Sequence, residues 1–241
     1  MKRAWLNLRH QQSERAHAFC EGLSRIGYSA ELALTMRPGD GDILVTWSRI
    51  GLGDMAANEF QRRALPVLVV ENASWGNGFA GTKWLTMARD FHNTAGCFPV
   101  GDSDRWDALG VDLKPWRTDG ETVLLPQRGI GCVQTAMPRA WTQSALQKYP
   151  HARVRPHPGR SKDARPLSED LARCAQVVTW GSGAAVQALM LGIKVHSDMP
   201  NWIGEQNNTD EGRLAMFRRL AWAQWRTSEI VSGEAFKRLL A

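Results

Sequence analysis

The chain has 241 residues, of which 43% are hydrophobic, so it can bury a substantial core as one large domain or two small ones. Its net charge of +6 and its sequence pI of about 9.5 favour anionic partners such as nucleotides, nucleic acid or an anionic membrane face. The sequence has no apolar run of transmembrane length and no signal peptide, so we expect a cytoplasmic protein. The four cysteines form no CxxC pair and the histidines form no HExxH motif, so we expect no bound metal.

Strand-like and helix-like segments alternate in the first half of the chain, which predicts an α/β fold. Strands are expected at 4–8, 42–47 and 66–70, and helices at 13–26 and 54–64. The glycine-rich segment Glu71–Gly81 follows the third of these strands, at the edge of the sheet where α/β proteins place their ligands. The polar stretch Gly101–Gly120 follows, and we place a domain boundary there, giving domains at 1–118 and 119–241.

The second half repeats the alternation of strands and helices. Strands are expected at 122–125, 152–155, 177–180 and 194–196, and helices at 139–148, 167–174, 184–191 and 208–225. Because such series form parallel sheets covered by helices, each half is typical of a Rossmann-like domain. The predicted architecture is two Rossmann-like α/β domains that face a cleft.

Three loops of the second half follow successive strands and would meet at one edge of its sheet. They are QRGIG at 127–131, RPHPG at 155–159 and GSG at 181–183. A helix that starts after a glycine-flanked serine offers backbone N–H groups to an anion, and a guanidinium and an imidazole add to that attraction. We therefore predict a site for a nucleotide diphosphate, formed by Gln127, Arg128, Gly129, Gly131, Arg155, His157, Pro158, Gly181, Ser182 and Gly183.

These motifs resemble the carboxy-terminal domain of GT-B glycosyltransferases, in particular the capsule-polysaccharide and Kdo-transferase-like group, with wider similarity to bacterial sialyltransferases. His157-Pro158 matches that group's His-Pro motif, and Gly181-Ser182-Gly183 matches its serine motif. Val69–Pro99 is similar to its glutamate-bearing strand and the pattern that follows, and Glu229–Leu240 resembles its tail. Ala88 departs from the pattern, which often has a glutamate at this position.

The resemblance implies that a sugar is transferred from a nucleotide-sugar donor, a co-substrate rather than a tightly bound cofactor, to a hydroxyl group. Glu71 matches the group's glutamate and is the first candidate for the general base; Asp90, with His92 close by, is the second. Arg128, Arg155, His157 and Ser182 would stabilise the departing phosphate without a metal ion. Displacement in one step would invert the anomeric centre.

Two acceptors stay open at this point. One is a saccharide of the capsule type, and the other is a 5-hydroxymethylpyrimidine in double-stranded DNA, the substrate of phage enzymes of GT-B fold, in a bacterial or phage-infected cell. A DNA acceptor would use phosphate contacts from the first half, for which the candidates are Arg9, Arg37, Arg49, Arg62, Arg63 and Lys83. The alternatives to a transferase are a nucleotide-sugar epimerase of the same fold and a non-catalytic nucleic-acid-binding protein.

Overall fold

The computed structural model describes residues 2–8, 14–32, 37–91, 95–97, 99–128, 131–159, 165–200, 202 and 207–241. The strands are β1 (Arg3–Asn7), β2 (Ser29–Leu32), β3 (Ile43–Trp47), β4 (Val67–Asn72), β5 (Trp84–Arg89), β6 (Glu121–Leu125), β7 (Arg153–Val154), β8 (Cys174–Thr179), β9 (Lys194–Ser197) and β10 (Gln224–Arg226). The helices are α1 (Glu14–Arg25), α2 (Leu52–Arg62), α3 (Asp104–Asp107), α4 (Trp141–Lys148), α5 (Leu167–Asp170), α6 (Ala184–Met190), α7 (Asp210–Leu220), α8 (Thr227–Val231) and α9 (Glu234–Leu240). The protein has a mixed α/β fold with two sheets.

The first sheet has six strands in the order β10-β5-β4-β3-β1-β2. Its β2, β1, β3 and β4 are parallel, whereas β5 and β10 are antiparallel to their neighbours. The run Val67–Val70 of β4 is buried on both faces, since Leu68 and Val70 belong to one core cluster and Val67 and Val69 to another. Such an unbroken apolar run is typical of a central parallel strand covered by helices on both sides.

The second sheet has four parallel strands in the order β7-β6-β8-β9. Val123 and Val177 face one core cluster, while Leu124 and Val178 pack against Trp141 of α4 on the other face. Since parallel strands share one direction, the loops that follow β6, β7 and β8 all leave the same edge of this sheet. The prediction of a parallel sheet in the second half is confirmed.

The segment after residue 220 differs from the predicted helix at 208–225. Helix α7 ends at Leu220, a single turn covers 221–223, and β10 then pairs with β5 of the first sheet. Helices α8 and α9 also lie on the first sheet, where Phe236 contacts Phe19 of α1 edge to face. The boundary near residue 118 stays a prediction, but β10, α8 and α9 pack with the first sheet.

An aromatic cluster joins the two halves of the chain. Trp75 contacts Trp84 and Trp106, with ring centroids 5.1 and 5.7 Å apart, and Trp106 stacks on Phe217 of α7 at 4.5 Å. These rings share one buried cluster with Val123 and other residues of the second sheet. Both sheets therefore contribute to a common core. No helix within the described ranges is long and apolar enough to cross a membrane.

Candidate active site

A cavity of about 440 Å³ lies where the carboxyl ends of strands from the two sheets meet. The first sheet contributes the wall that we call the acidic wall: Trp47, Ser48, Ile50, Glu71, Asn72 and Ser74. The second sheet contributes the wall that we call the basic wall: Gln127, Arg128, Arg155, His157, Pro158, Ser182 and Gly183. The structure thus brings Glu71 and seven of the ten predicted phosphate-site residues around one space.

The GSG motif forms the base of the basic wall. Gly181 is buried, and a Cβ atom on it would lie 2.5 Å from the end of the Met199 side chain, which would have to shift to make room. The Gln127 side chain donates from Nε2 to the Gly181 carbonyl at 3.1 Å, which links two of the three loops. Gly181 supports the wall from behind and, like Gly131, does not line the cavity.

The backbone N–H groups at the start of α6 are less available than the sequence suggested. The Ser182 N–H donates to Thr179 Oγ1 at 3.0 Å, and the Ala184 N–H donates to Ser182 Oγ at 3.2 Å. The Ser182 hydroxyl therefore occupies the Ala184 N–H, and this bond and the bond from the Ser182 N–H satisfy donors that an anion would otherwise use. Attraction for an anion on this wall must come mainly from side chains.

His157 provides a neutral hydrogen-bond donor on the basic wall. Its Nδ1 accepts a bond from the Gly159 N–H at 3.0 Å, so the proton of the neutral ring lies on Nε2. Partial desolvation lowers the pKa of His157, and the positive charges of Arg128 and Arg155 lower it further. The imidazole is therefore mostly uncharged at neutral pH and can donate from Nε2.

The two arginines of the basic wall differ in what they bind. Arg155 is largely buried and donates from Nε to Asp170 at 2.5 Å, and Asp170 also pairs with Arg153 and Arg165. Arg128 is exposed, and within the described residues it makes no hydrogen bond or ion pair. Arg128 is consequently the guanidinium on this wall that can bind a ligand without breaking an existing contact.

The acidic wall holds Glu71 at the end of β4. Glu71 Oε1 accepts a hydrogen bond from Ser48 Oγ at 3.1 Å. Ser48 follows β3 directly, and its backbone is left-handed, with a φ of 59°. Sequence reasoning missed Ser48, although its place immediately after a buried strand at the ligand edge was a usable signal.

Asp90 does not reach this cavity. Strand β5 runs antiparallel to β4, with Leu68 opposite Arg89 and Glu71 opposite Thr86, so Asp90 lies at the other edge of the sheet. Its carboxylate accepts a bond from Gln61 at 3.3 Å. The interpretation of Asp90 as a second candidate base therefore does not fit the structure, while the predicted residues Gly129 and His92 lie outside the described residues.

The arginines proposed for DNA phosphates are partly engaged within the protein. Arg49 is almost fully buried and binds Asp54, Asn58 and the Asp90 carbonyl, so its prediction as a phosphate contact is wrong. Arg62 and Arg63 both pair with Glu59 on α2. Contacts from Arg37 and Lys83 stay predictions, and Arg9 lies outside the described residues.

Metal-binding side chains do not cluster in the described ranges, where no group of three or more His, Cys, Asp or Glu residues could hold an ion. The cysteines there, Cys20, Cys97, Cys132 and Cys174, are free thiols, and burial raises the pKa of Cys174 to about 11. A thiol with a raised pKa is a poor nucleophile at neutral pH. The absence of a metal cofactor stays a prediction.

No family model and no curated protein sequence matches the chain. Among solved structures, KpsC of Thermosulfurimonas dismutans, a beta Kdo 2,4 transferase, is similar over 96% of this chain and 98% of that chain, with a TM-score of 0.57 and 15% identity. The chain shares the fold of KpsC. This similarity agrees with the resemblance of its motifs to the Kdo-transferase-like group. Aspartate transcarbamoylase of Trypanosoma cruzi also matches, over 92% of this chain and 82% of that chain at 16% identity, but its TM-score of 0.27 carries no argument.

Proposed function

We propose that this protein is a glycosyltransferase that moves a sugar from a nucleotide-sugar donor to a hydroxyl group of a saccharide acceptor. The observation that carries the proposal is the cavity with a carboxylate on one wall and cationic and neutral donors on the other. Sugar transfer needs a base for the acceptor hydroxyl and positive groups for the leaving phosphate. Both are present, on opposite sides of one space.

Glu71 is the general base in this proposal. The carboxylate lies at the end of β4 and is held by Ser48, so it can take the proton of an acceptor hydroxyl that enters from the acidic wall. The hydroxyl oxygen then attacks the anomeric carbon while the bond from that carbon to the phosphate oxygen breaks. With base and leaving group on opposite walls, the displacement inverts the anomeric centre.

Arg128 and His157 stabilise the leaving phosphate. The exposed Arg128 offers a guanidinium with no partner among the described side chains, and the neutral His157 offers its Nε2 proton. Arg155 adds positive charge from behind, although Asp170 holds it. These groups supply the compensating charge, so no step of the proposed reaction passes through a metal ion, and we expect EDTA to leave the rate unchanged.

A saccharide acceptor is favoured over DNA by the contacts of the first sheet. Arg49 is buried and bonded to Asp54, Asn58 and the Asp90 carbonyl, and Arg62 and Arg63 already share Glu59. Trp47 also lines the acidic wall, with the Arg15 guanidinium over its ring, 4.6 Å from the ring centroid. KpsC, which has a similar fold, is named as a Kdo transferase, and this also favours a saccharide acceptor. We further propose that the two sheets form the two domains of a GT-B arrangement.

The test is a calorimetric screen against UDP-, GDP- and CMP-linked sugars, followed by transfer assays on oligosaccharides and on hydroxymethylated duplex DNA. The expected result is binding of one donor class and transfer to a saccharide that EDTA does not inhibit. Release of an epimerised nucleotide sugar without any acceptor would instead indicate an epimerase. Salt-sensitive DNA binding without binding of any nucleotide sugar would contradict the proposal.

A further inference from the structure

Ser48 adopts a backbone conformation that a serine rarely takes. Its φ of 59° lies in the left-handed region, which glycine enters without steric cost. The residue is buried, and both of its backbone groups are held: its N–H donates to the Val70 carbonyl at 3.0 Å, and its carbonyl accepts from Thr46 Oγ1 at 3.1 Å. Glycine would satisfy this backbone with less strain, so the feature that distinguishes serine here is its hydroxyl, which donates to Glu71.

The bonds that hold Ser48 continue into the neighbouring strand. Asn7, the last residue of β1, donates from Nδ2 to Thr46 Oγ1 at 3.1 Å, and the same hydroxyl donates to the Ser48 carbonyl. We call Asn7, Thr46 and Ser48 the Ser48 brace. The brace connects the carboxyl ends of three adjacent strands, β1, β3 and β4, and ends on the Glu71 carboxylate.

Gly53 in the first turn of α2 packs against all three members of the brace. A Cβ atom at this position would lie 2.8 Å from Thr46 Oγ1, 3.0 Å from Asn7 Nδ2 and 3.1 Å from the Ser48 carbonyl oxygen. The first of these distances is too short for a Cβ contact, so the brace fits only beneath a glycine. The helix and the brace therefore fix each other's position, and the closest contacts of Gly53 are all with the brace.

We propose that Ser48 is a positioning residue that fixes the orientation of the Glu71 carboxylate toward the acceptor, with Thr46, Asn7 and Gly53 holding it from behind. The proposal rests on the proposed transferase function, in which Glu71 is the base. A carboxylate with one oxygen hydrogen-bonded to a rigid donor has its other oxygen placed for proton transfer. Without the hydroxyl, the Glu71 carboxylate loses the hydrogen bond that fixes its Oε1 atom.

The first arm of the test compares Ser48→Ala with Ser48→Gly. Both changes remove the hydroxyl, but only Ser48→Gly also relieves the strain of the left-handed backbone. A loss of kcat caused by the missing hydroxyl should therefore appear in both variants, whereas a change caused by backbone strain should differ between them. We expect kcat to fall about tenfold or more in both variants, with donor affinity and donor KM changed less than about twofold. Thr122→Val, which removes a half-buried hydroxyl in the second sheet, is the matched control and should keep full kcat.

The second arm uses Gly53, whose three closest contacts are all with the brace. Gly53→Ala should lower kcat in the same manner as Ser48→Ala, because the new methyl group displaces the Ser48 carbonyl and the Thr46 hydroxyl. Gly78→Ala is the control, since a Cβ atom there meets nothing within 4 Å and its φ is −108°. If Gly78→Ala lowers kcat as much as Gly53→Ala does, the effect of Gly53→Ala does not support a positioning role for the brace.

The third arm separates this inference from the proposed function. In a Glu71→Gln background, Ser48→Ala should cause no further loss of kcat. The change in unfolding midpoint of the double variant should differ from the sum of the changes in the two single variants. Full kcat in Ser48→Gly, or additive unfolding effects, overturns the positioning role even when Glu71 is the base. Full kcat in Glu71→Gln overturns the catalytic role of Glu71. In that case the comparison of unfolding midpoints still decides whether the Ser48 brace holds the Glu71 side chain.

Discussion

The two walls of the cavity differ in how their functional groups are held. The acidic wall has one carboxylate, oriented by neutral hydroxyl and amide groups on three adjacent strands of the first sheet. The basic wall has its groups on loops, and its arginines differ, with Arg155 tied to Asp170 and Arg128 exposed. A proton acceptor needs an exact direction, whereas a counter-charge for a phosphate needs proximity and can adjust, so each wall suits one of the two tasks.

The largest effect should follow from Glu71→Gln, which keeps the shape of the acidic wall and removes its base. We expect kcat to fall by a factor of about 100 or more, while donor affinity, set by the other wall, stays within about twofold. Steady-state kinetics and calorimetry measure the two quantities. Asp90→Asn is the matched control and should keep full kcat, because Asp90 lies at the opposite edge of the sheet. An equal loss of kcat in Glu71→Gln and Asp90→Asn would contradict the assignment of Glu71 as the base.

Arg128→Ala should act on the opposite wall and show the reverse pattern. Loss of a charge-assisted bond to the donor phosphate should weaken donor binding about tenfold or more in calorimetry. Arg62→Ala makes the same change of net charge on an exposed helix surface and should leave donor binding unchanged. If both variants weaken binding equally, the effect arises from the net charge of the protein rather than from this wall.

His157 should make donor binding take up protons at about pH 6. Desolvation and the nearby Arg128 and Arg155 lower its pKa, so the free ring binds a proton less readily than an exposed histidine, and a docked phosphate stabilises the charged form and raises the pKa. Calorimetry in two buffers of different ionisation enthalpy measures the uptake. It should vanish in His157→Asn and persist in His196→Asn, whose exposed ring pairs with Asp198. Proton release on binding would contradict this assignment.

Ser182→Ala should have the smallest effect. Its hydroxyl accepts from the Ala184 N–H, so its loss should destabilise the fold by about 0.5–1 kcal/mol, as for a lost helix cap. Donor affinity should fall by only a few-fold, because the side chains of the basic wall supply most of the attraction. Denaturant unfolding and calorimetry measure both. Ser232→Ala, an exposed hydroxyl beside α9, is the control for affinity. A loss of affinity equal to that of Arg128→Ala would show that the helix start carries the phosphate.

The basic wall could be predicted from sequence because its geometry is local. Each of its loops directly follows a strand of a parallel sheet, and parallel strands end at the same edge, so the order of Arg128, His157 and Ser182 in the sequence predicts their meeting. Residue type alone did not show that Asp170 holds Arg155 or that Thr179 occupies the Ser182 N–H. Those contacts depend on the distances between folded elements.

The acidic wall could be predicted only in part, because its geometry depends on pairing between distant segments. Glu71 was found because it ends a buried strand, but Ser48 acts through a left-handed backbone that the sequence does not signal. Asp90 was misplaced because β5 reverses direction. The connection between Asn72 and Trp84 is too short for a crossover helix, and that shortness was the available sign of an antiparallel pair. Strand β10 was missed since its partner is far away in sequence.

The return of the chain to its first sheet has a consequence for biosynthesis. Trp222, Trp225, Phe236 and Leu239 complete the core that contains Phe19, so the part of the protein made first stays unfinished on the ribosome until these residues emerge. Its apolar surface remains open until the segment from Trp222 to Leu239 has been translated. A stalled or prematurely terminated ribosome would therefore release a fragment with an unsealed core, an expected substrate for chaperones and proteases.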